Sequence, residues 1–137
     1  MPSHPDGERT PGEVHLDVDA GVALVTIDRP DVRNAIGFAT VNELAAALDD
    51  VLASDAAVVV LRGGGDRAFV SGGDLKELSA IRTHDEAVAM ASRVRRVLDR
   101  VAAFPIPVIA ALNGHALGGG AEVAIAADIR IDRKSVV

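Results

Sequence analysis

The feature that most constrains the fold of this chain is a repeated unit, in which a short apolar run is followed by a glycine-rich loop and a helical pattern. The first run is Ala57 to Leu61, with a loop from Gly63 to Gly73, and the second is Val108 to Leu112, with a loop from Asn113 to Gly120. Short, continuously apolar runs are typical of strands in parallel sheets, which are buried on both faces. Strands that alternate with helices predict an α/β architecture with crossover connections, whose ligands bind in the loops after the strands.

The other segments predict a β-hairpin before the first unit, and further helices and a strand around it. The hairpin comes from two runs rich in β-branched residues, separated by an Asp-Ala-Gly turn. Two helices are predicted to begin at Thr40 and at Thr83, because each threonine is followed three residues later by a glutamate, Glu43 or Glu86, which is the spacing of a capping box. In chain order, these predicted elements are strands 14–18 and 22–28, a helix to about Ala53, a short helix 74–78, a helix to about Phe104, a helix 121–127 and a strand 128–131.

A length of 137 residues suits one domain. Residues 1–13 are polar and rich in Pro and Gly, which predicts a disordered leader of a cytoplasmic protein and not a signal peptide. No apolar run reaches the ~20 residues of a membrane span, so we expect no membrane partner.

Charge and cysteine content exclude several function classes. The net charge of −6 argues against nucleic-acid binding, which needs clustered Lys and Arg and aromatic stacking faces. The chain has no cysteine, which excludes disulfides, thiolate zinc sites and cysteine nucleophiles. Its four histidines show no metal-ligand spacing, and we expect no metal site.

The two glycine loops suggest a pair of backbone donors. Each loop places glycines just before a predicted helix, where the first N–H groups have no internal partner and lie at the positive end of the dipole. Taken singly, each loop is explained by a tight turn, and Glu122 by a solvated acid in a first helical turn. Taken together, N–H groups from two loops are what an oxyanion hole needs, and Glu122 adds a proton acceptor or donor.

Several polar residues near these loops have structural explanations that compete with functional ones. Asn34 is expected mainly to stabilise a turn, and Asp74 to cap the short helix. Arg33 and Lys76 fit either a phosphate contact or a solvated charge. Ser71 has no nucleophile-elbow context, which argues against a serine hydrolase.

Three stretches of the sequence carry a family resemblance. They are VALVTIDRPDVRNAI, AVVVLRGGGDRAFVSGGDLKEL and PIPVIAALNGHALGGGAEVAIAADIRI, which follow one another from about residue 14 to residue 131. In residue sequence, order and spacing they resemble the motifs of the enoyl-CoA hydratase/isomerase, or crotonase, family. The resemblance implies a crotonase-like α/β fold of the ClpP/crotonase type, a spiral of ββα repeats, here truncated.

The resemblance also implies a site and a substrate class. Family members bind acyl-CoA thioesters, and by motif position the thioester oxygen would be held by the N–H groups of Gly73 and Gly119, while Glu122 matches the first of two catalytic glutamates. Coenzyme A belongs to the substrate, so no separate cofactor is implied, and a homo-oligomer, a trimer or a dimer of trimers, is implied for full-length members. The residues that would line the CoA and acyl sites are Arg33, Ala35, Ala68, Ser71, Gly72, Gly73, Asp74, Leu75, His115, Gly118, Gly119 and Glu122, with His115 and Gly118 in the acyl pocket beside the second donor.

The sequence departs from the family pattern at its C-terminal end. The resemblance extends over residues 14–131, and residues 132–137 form a divergent tail in place of the segment that carries the second catalytic glutamate. The resulting expectation is hydration of a 2-enoyl-CoA through an enolate, a lyase reaction of fatty acid metabolism, impaired by truncation. The alternatives are an inactive fragment or interaction module, and another family reaction: isomerisation, decarboxylation or thioester hydrolysis.

Overall fold

A computed structural model describes residues 12–133 of the chain. The predicted leader lies outside these residues except for Gly12 and Glu13, and the predicted tail except for Asp132 and Arg133. The strands are β1 Val14–Asp19, β2 Val22–Ile27, β3 Val58–Gly63, β4 Ala68–Val70, β5 Val108–Leu112, β6 His115–Ala116 and β7 Ile129–Asp132. The helices are α1 Phe38–Leu52, α2 Leu75–Ser79, α3 His84–Ala102 and α4 Gly119–Ala126, and Pro30–Val32 form a 3-10 turn.

Five strands form one sheet in the order β1-β2-β3-β5-β7. The β1–β2 pair is the predicted antiparallel hairpin, and the other neighbours are parallel. Strands β4 and β6 form a separate parallel pair. Because β3 and β5 are parallel neighbours, the loops that follow them leave the same edge of the sheet, as the repeated unit predicts. No helix among residues 12–133 is long and apolar enough to cross a membrane.

The core is built from small aliphatic side chains on one face of the sheet and on the helices that cover it. Val25, Val59 and Val108 lie on three neighbouring strands, are fully buried and belong to one cluster with Leu48 of α1 and Val101 of α3. Burial alternates along β3, where Val58 and Val60 are only half-buried. The expectation that this run is buried on both faces is therefore wrong: its alternate side chains face the sheet's less covered side.

The beginning of α1 differs from the sequence-based prediction. The helix begins at Phe38 with Gly37 as N-cap, and Thr40 is its third residue, whose hydroxyl accepts a hydrogen bond from the N–H of Gly37 at 3.0 Å. Glu43 instead accepts from the N–H of Glu13, at 3.0 and 3.1 Å, and ties the start of β1 to the helix. The predicted start at Thr40 was wrong because Thr40 and Glu43 bond to partners other than each other.

Other boundaries agree with the sequence more closely. Thr83 caps α3 by accepting a hydrogen bond from the N–H of Glu86, as its spacing predicts. The carboxylate of Asp74 accepts from the N–H groups of Lys76 and Glu77, which confirms its predicted capping role for α2. The short strands β4 and β6, which lie inside the predicted glycine loops, were not foreseen.

Candidate functional site

The first glycine loop holds Gly73 in a defined orientation. It leaves β4, passes through Gly72 at φ +126° and enters α2 through the cap residue Asp74. Gly73 forms a parallel bridge with Ile36, in which the N–H of Ile36 donates to the carbonyl of Gly72 (2.8 Å) and the N–H of Asp74 donates to the carbonyl of Ile36 (2.9 Å). Because N–H groups alternate in direction along an extended segment, the N–H of Gly73 points away from Ile36.

The second glycine loop ends at the start of α4. Gly118 precedes the helix at φ 51° and ψ −119°, a backbone conformation that residues other than glycine rarely adopt. Gly119 is the first helical residue, so its N–H has no partner inside the helix. Glu122 lies in the first turn, where the positive end of the helix dipole favours a carboxylate.

Backbone pairing brings the two loops together. In the β4–β6 pair, Ala68 lies opposite His115 and Val70 opposite Ala116, and the N–H of Leu117 donates to the carbonyl of Val70 at 3.1 Å. Glycine allows the two backbones to approach closely, since a Cβ on Gly114 would lie only 2.3 Å from the carbonyl oxygen of Arg67. The relative placement of the two loops therefore depends on main-chain contacts.

Asn113, at the start of the second loop, ties it to the first. Its side-chain oxygen accepts from the N–H of Gly63 at 2.9 Å, and its side-chain N–H₂ donates to the carbonyls of Gly63, Gly65 and Ala68 at 2.9, 3.0 and 3.2 Å. The sequence predicts Asn113 only as the start of a loop, because nothing in its local sequence shows which distant carbonyls it contacts.

Gly73, Gly119 and Glu122 line one cavity of about 680 Å³. Neither the N–H of Gly73 nor that of Gly119 donates a hydrogen bond to an atom of residues 12–133. Apolar side chains of α3 and α2 form most of the remaining wall, among them Leu78, Val94 and Leu98. The fold therefore places the two predicted N–H donors and the predicted carboxylate at a single apolar cavity, where a ligand oxygen could accept hydrogen bonds from both amides.

Charged groups at this cavity are few. Within the part of the chain that the structure describes, Glu122 is the only carboxylate that lines the cavity, and Arg95 is the only cation. Arg95 also forms an exposed ion pair with Asp99, at 3.3 Å, one turn further along α3. An apolar wall around one exposed carboxylate and two unbonded N–H groups suits a ligand whose charge develops during reaction.

Beside the first loop, Asp74 is held ionised. The hydrogen bond from the Arg29 guanidinium, together with the N–H of Glu77, lowers the pKa of the Asp74 carboxyl below its ordinary value of 3.8. Arg29 lies 2.9 Å from Asp74 and 3.2 Å from Glu13. Sequence reasoning did not assign a role to Arg29, because its partners come from three separate segments of the chain.

The other predicted site residues lie around this cavity or beside it. Ala35 is buried and its carbonyl accepts from Arg29 at 2.7 Å, whereas Leu75 is exposed. The hydroxyl of Ser71 donates to the carbonyl of Val32 at 3.3 Å. Gly72 and Gly118 adjoin the two donors and shape the loops through their positive φ angles.

A second group of predicted residues lines two smaller polar cavities. Arg33 and Ala68 line one of about 310 Å³, and Arg33 and His115 line the other, of about 490 Å³, together with Arg67 and Arg133. We expected His115 beside the second donor, but it does not line the apolar cavity; as a residue of β6 it lies opposite Ala68, at the arginines. Arg67, which directly precedes β4, and Arg133 were not predicted.

Within residues 12–133, no group of three or more acidic or histidine side chains is placed to hold a metal ion.

Comparison with known proteins identifies the fold and the family. The chain is 40% identical over 121 residues to the human enoyl-CoA hydratase domain-containing protein 2, mitochondrial, covering 87% of this chain and 41% of that protein. It is 38% identical over 119 residues to the short-chain-enoyl-CoA hydratase of Clostridium acetobutylicum, covering 86% and 45%. A crystal structure of the enoyl-CoA hydratase from Bacillus anthracis superposes with a TM-score of 0.83 at 34% identity, covering 88% of this chain and 47% of that one.

These matches extend over a part of each relative. The chain spans about half the length of the curated relatives it matches. The fold is the α/β fold of the crotonase type, as the sequence motifs imply, and it corresponds to about half of the solved hydratase chains. The family model described as "Enoyl-CoA hydratase/isomerase" matches residues 17–136, which is most of the sequence and extends past Ile131. The chain therefore belongs to the enoyl-CoA hydratase/isomerase family.

Proposed function

We propose that this chain binds an acyl-CoA thioester and supports hydratase-type chemistry, in which the N–H groups of Gly73 and Gly119 hold the thioester oxygen and Glu122 transfers protons. The observation that carries the proposal is that both unbonded N–H groups and the carboxylate line the same apolar cavity. The relatives whose names describe enoyl-CoA hydratases support the same reaction class.

The reaction can be followed through these groups. Glu122 accepts a proton from water as the water oxygen bonds to the β-carbon of a 2-enoyl thioester, and the double-bond electrons move toward the thioester oxygen. The two N–H groups stabilise the negative charge of this enolate, and loss of one such donor typically costs about 100- to 1,000-fold in rate. The α-carbon then takes up a proton and the carbonyl re-forms. Glu122 returns the proton that it took from water, so it ends the cycle ionised.

The acyl group fits the apolar cavity. Its wall along α3 and α2 presents aliphatic side chains, such as Val94 and Leu78. This arrangement supports binding of an aliphatic acyl chain next to the two donors.

The polar half of coenzyme A fits the arginine-lined cavities. Arg33, Arg67 and Arg133 line the cavity of about 490 Å³, together with His115 and one carboxylate, Asp66. In a chain with a net charge of −6, three arginines against one carboxylate leave a local excess of positive charge at this cavity. Guanidinium groups match phosphate oxygens in bidentate geometry. We assign these residues to the phosphates of the CoA moiety.

Hydration of crotonyl-CoA, followed by loss of the enoyl absorbance, tests the catalytic part of the proposal. We expect a rate above that of Glu122→Gln, which keeps the size of the side chain and removes its basicity. Binding of acetyl-CoA and crotonyl-CoA, measured by calorimetry, tests the binding part, and Arg33→Gln with Arg67→Gln should weaken both ligands.

Three outcomes separate the candidate functions. A rate that depends on Glu122 supports hydratase chemistry. Thioester binding with a rate no greater than that of Glu122→Gln would indicate a non-catalytic binding module. A chain that binds neither thioester would overturn the proposal.

A further inference from the structure

Arg29 joins the two segments that flank the Ile36–Gly73 bridge. Gly73 carries the first of the two N–H groups proposed to bind the thioester oxygen. The Nη1 of Arg29 donates to the carbonyl of Ala35 at 2.7 Å, and its Nη2 donates to the carboxylate of Asp74 at 2.9 Å. Ala35 directly precedes Ile36, and Asp74 directly follows Gly73, so one guanidinium holds both sides of the Ile36–Gly73 bridge. The planar fork of Arg suits two acceptors at fixed positions, which a lysine ammonium does not reproduce.

The surroundings of this contact make it rigid. The side chains of Arg29 and Asp74 are 17% and 12% exposed, so the pair is largely removed from water. The other oxygen of Asp74 accepts the N–H groups of Lys76 and Glu77 at the start of α2. Removal of Arg29 would leave the buried Ala35 carbonyl and one Asp74 oxygen without this donor, and a buried polar group left without its partner is costly.

The direction of the Gly73 N–H depends on this bridge. Both bridge hydrogen bonds use the neighbours of Gly73, so the N–H of Gly73 itself points away from the Ile36 backbone and donates to no atom of residues 12–133. Gly73 lines the apolar cavity. A rotation of this short segment would turn the N–H away from the thioester oxygen while leaving the cavity walls in place.

We infer that Arg29 is a positioning residue: by holding Ala35 and Asp74 together, it directs the Gly73 N–H toward the thioester oxygen. This inference rests on the proposed function, which assigns that N–H to the oxyanion hole. Arg29 itself does not line the cavity.

The test compares Arg29→Ala and Arg29→Lys with a matched control, Glu13→Gln. Glu13 forms an ion pair with the Nε of Arg29 at 3.2 Å, so the control removes the charge beside Arg29 and leaves the contacts of Arg29 with Ala35 and Asp74 intact. Two quantities are measured: the backbone ¹⁵N order parameter of Gly73 without ligand, and the infrared carbonyl frequency of ¹³C-labelled crotonyl-CoA with ligand.

We expect a rigid Gly73 amide in the wild type and the control, with an order parameter of about 0.85, and a value below about 0.6 in Arg29→Ala. The bound carbonyl should shift to lower frequency in the wild type and lose most of that shift in both Arg29 variants. Millimolar methylguanidinium should restore the shift in Arg29→Ala, and methylammonium should not.

The outcomes distinguish the inference from the function on which it rests. A wild-type carbonyl that does not shift contradicts the proposed oxyanion hole, and the order parameter of Gly73 still decides whether Arg29 orients the loop. A shifted carbonyl and a rigid Gly73 in Arg29→Lys and Arg29→Ala would overturn the inference. If Arg29→Ala does not fold, Asp74→Asn replaces it. This variant removes the charge from the same pair and keeps the helix cap, and we expect the same loss of the carbonyl frequency shift.

Discussion

Gly120 lies directly against the backbone of Val70: a Cβ at Gly120 would be 1.9 Å from the Val70 carbonyl oxygen. This contact sets the distance between α4 and β4, and therefore between the two loops that carry the N–H donors. The adjacent Gly119 differs sharply, because a Cβ there would meet no atom within 4 Å. Two neighbouring glycines thus have different roles, one in packing and one in presenting an N–H group.

This difference predicts that the same substitution costs much more stability at Gly120 than at Gly119. Gly120→Ala must displace the Val70 backbone, and we expect the free energy of unfolding to fall by about 1–3 kcal/mol or more. Gly119→Ala adds a methyl group in open space, and we expect a change within about 0.5 kcal/mol. Urea unfolding of both variants checks the prediction, which equal losses of stability would contradict.

The N–H of Gly119 can be removed with little change in backbone conformation. Proline is favoured at the first position of a helix, and Gly118 before it lacks the Cβ that would clash with the proline ring. We expect Gly119→Pro to lower the rate of crotonyl-CoA hydration by about 100- to 1,000-fold, the usual effect of removing one oxyanion donor. Gly119→Ala keeps the N–H and is the matched control. A Gly119→Pro variant as active as Gly119→Ala would show that this N–H does not bind the developing oxyanion.

The turn at Asn34 should depend on hydrogen bonds more than on backbone strain. Asn34 is 1% exposed and has φ +57°; its oxygen accepts from the N–H of Arg29, and its N–H₂ donates to the carbonyls of Gly64 and Ala68. Asn34→Gly removes these bonds but tolerates the positive φ, and we expect a loss of about 2–4 kcal/mol. Asn34→Ala also strains the backbone, which adds about 1 kcal/mol.

Chemical denaturation of both Asn34 variants measures the contributions of the hydrogen bonds and of the backbone strain separately. The control is Asn42→Ala, at an exposed position of α1. An Asn34→Gly variant as stable as the wild type would show that the three hydrogen bonds add nothing to the stability of the turn.

The sequence predicted the parts of this fold that depend on local patterns. The β1–β2 hairpin follows from its turn residues, β5 from a short apolar run bounded by Pro107 and Asn113, and the start of α3 from Thr83, whose hydroxyl bonds within its own helical turn. The capping role proposed for Asp74 was also local, because Asp74 caps a helix within three residues. The turn role of Asn34 was local only in its bond from the N–H of Arg29, whereas its bonds to Gly64 and Ala68 join distant segments.

The rest of the site depends on contacts between distant segments. The orientation of the Gly73 N–H comes from pairing with Ile36, and the role of Arg29 from Ala35 and Asp74 together, so no short window of sequence contains them. His115 was placed in the acyl pocket from its position in a motif, whereas its pairing opposite Ala68 in a two-residue strand puts it near Arg67.

The ion pair of Asp74 with Arg29 should appear in the pH dependence of stability. The pKa of Asp74 lies below its ordinary value of 3.8 because Arg29 donates a hydrogen bond to the ionised form. A carboxyl whose pKa is lower in the folded state than in the unfolded state stabilises the fold above the unfolded pKa, and this contribution is lost as the pH falls through the folded pKa.

Asp74→Asn keeps the helix cap, since Asn caps about as well as Asp, and removes only the charge. We therefore expect the difference in unfolding free energy between wild type and Asp74→Asn to be constant from neutral pH to about pH 5 and to shrink below about pH 4. Denaturant unfolding at a series of pH values measures it, with Asp55→Asn, an exposed carboxylate beyond the end of α1, as control. A difference that stays constant at acid pH would show that Arg29 does not stabilise the ionised form of Asp74.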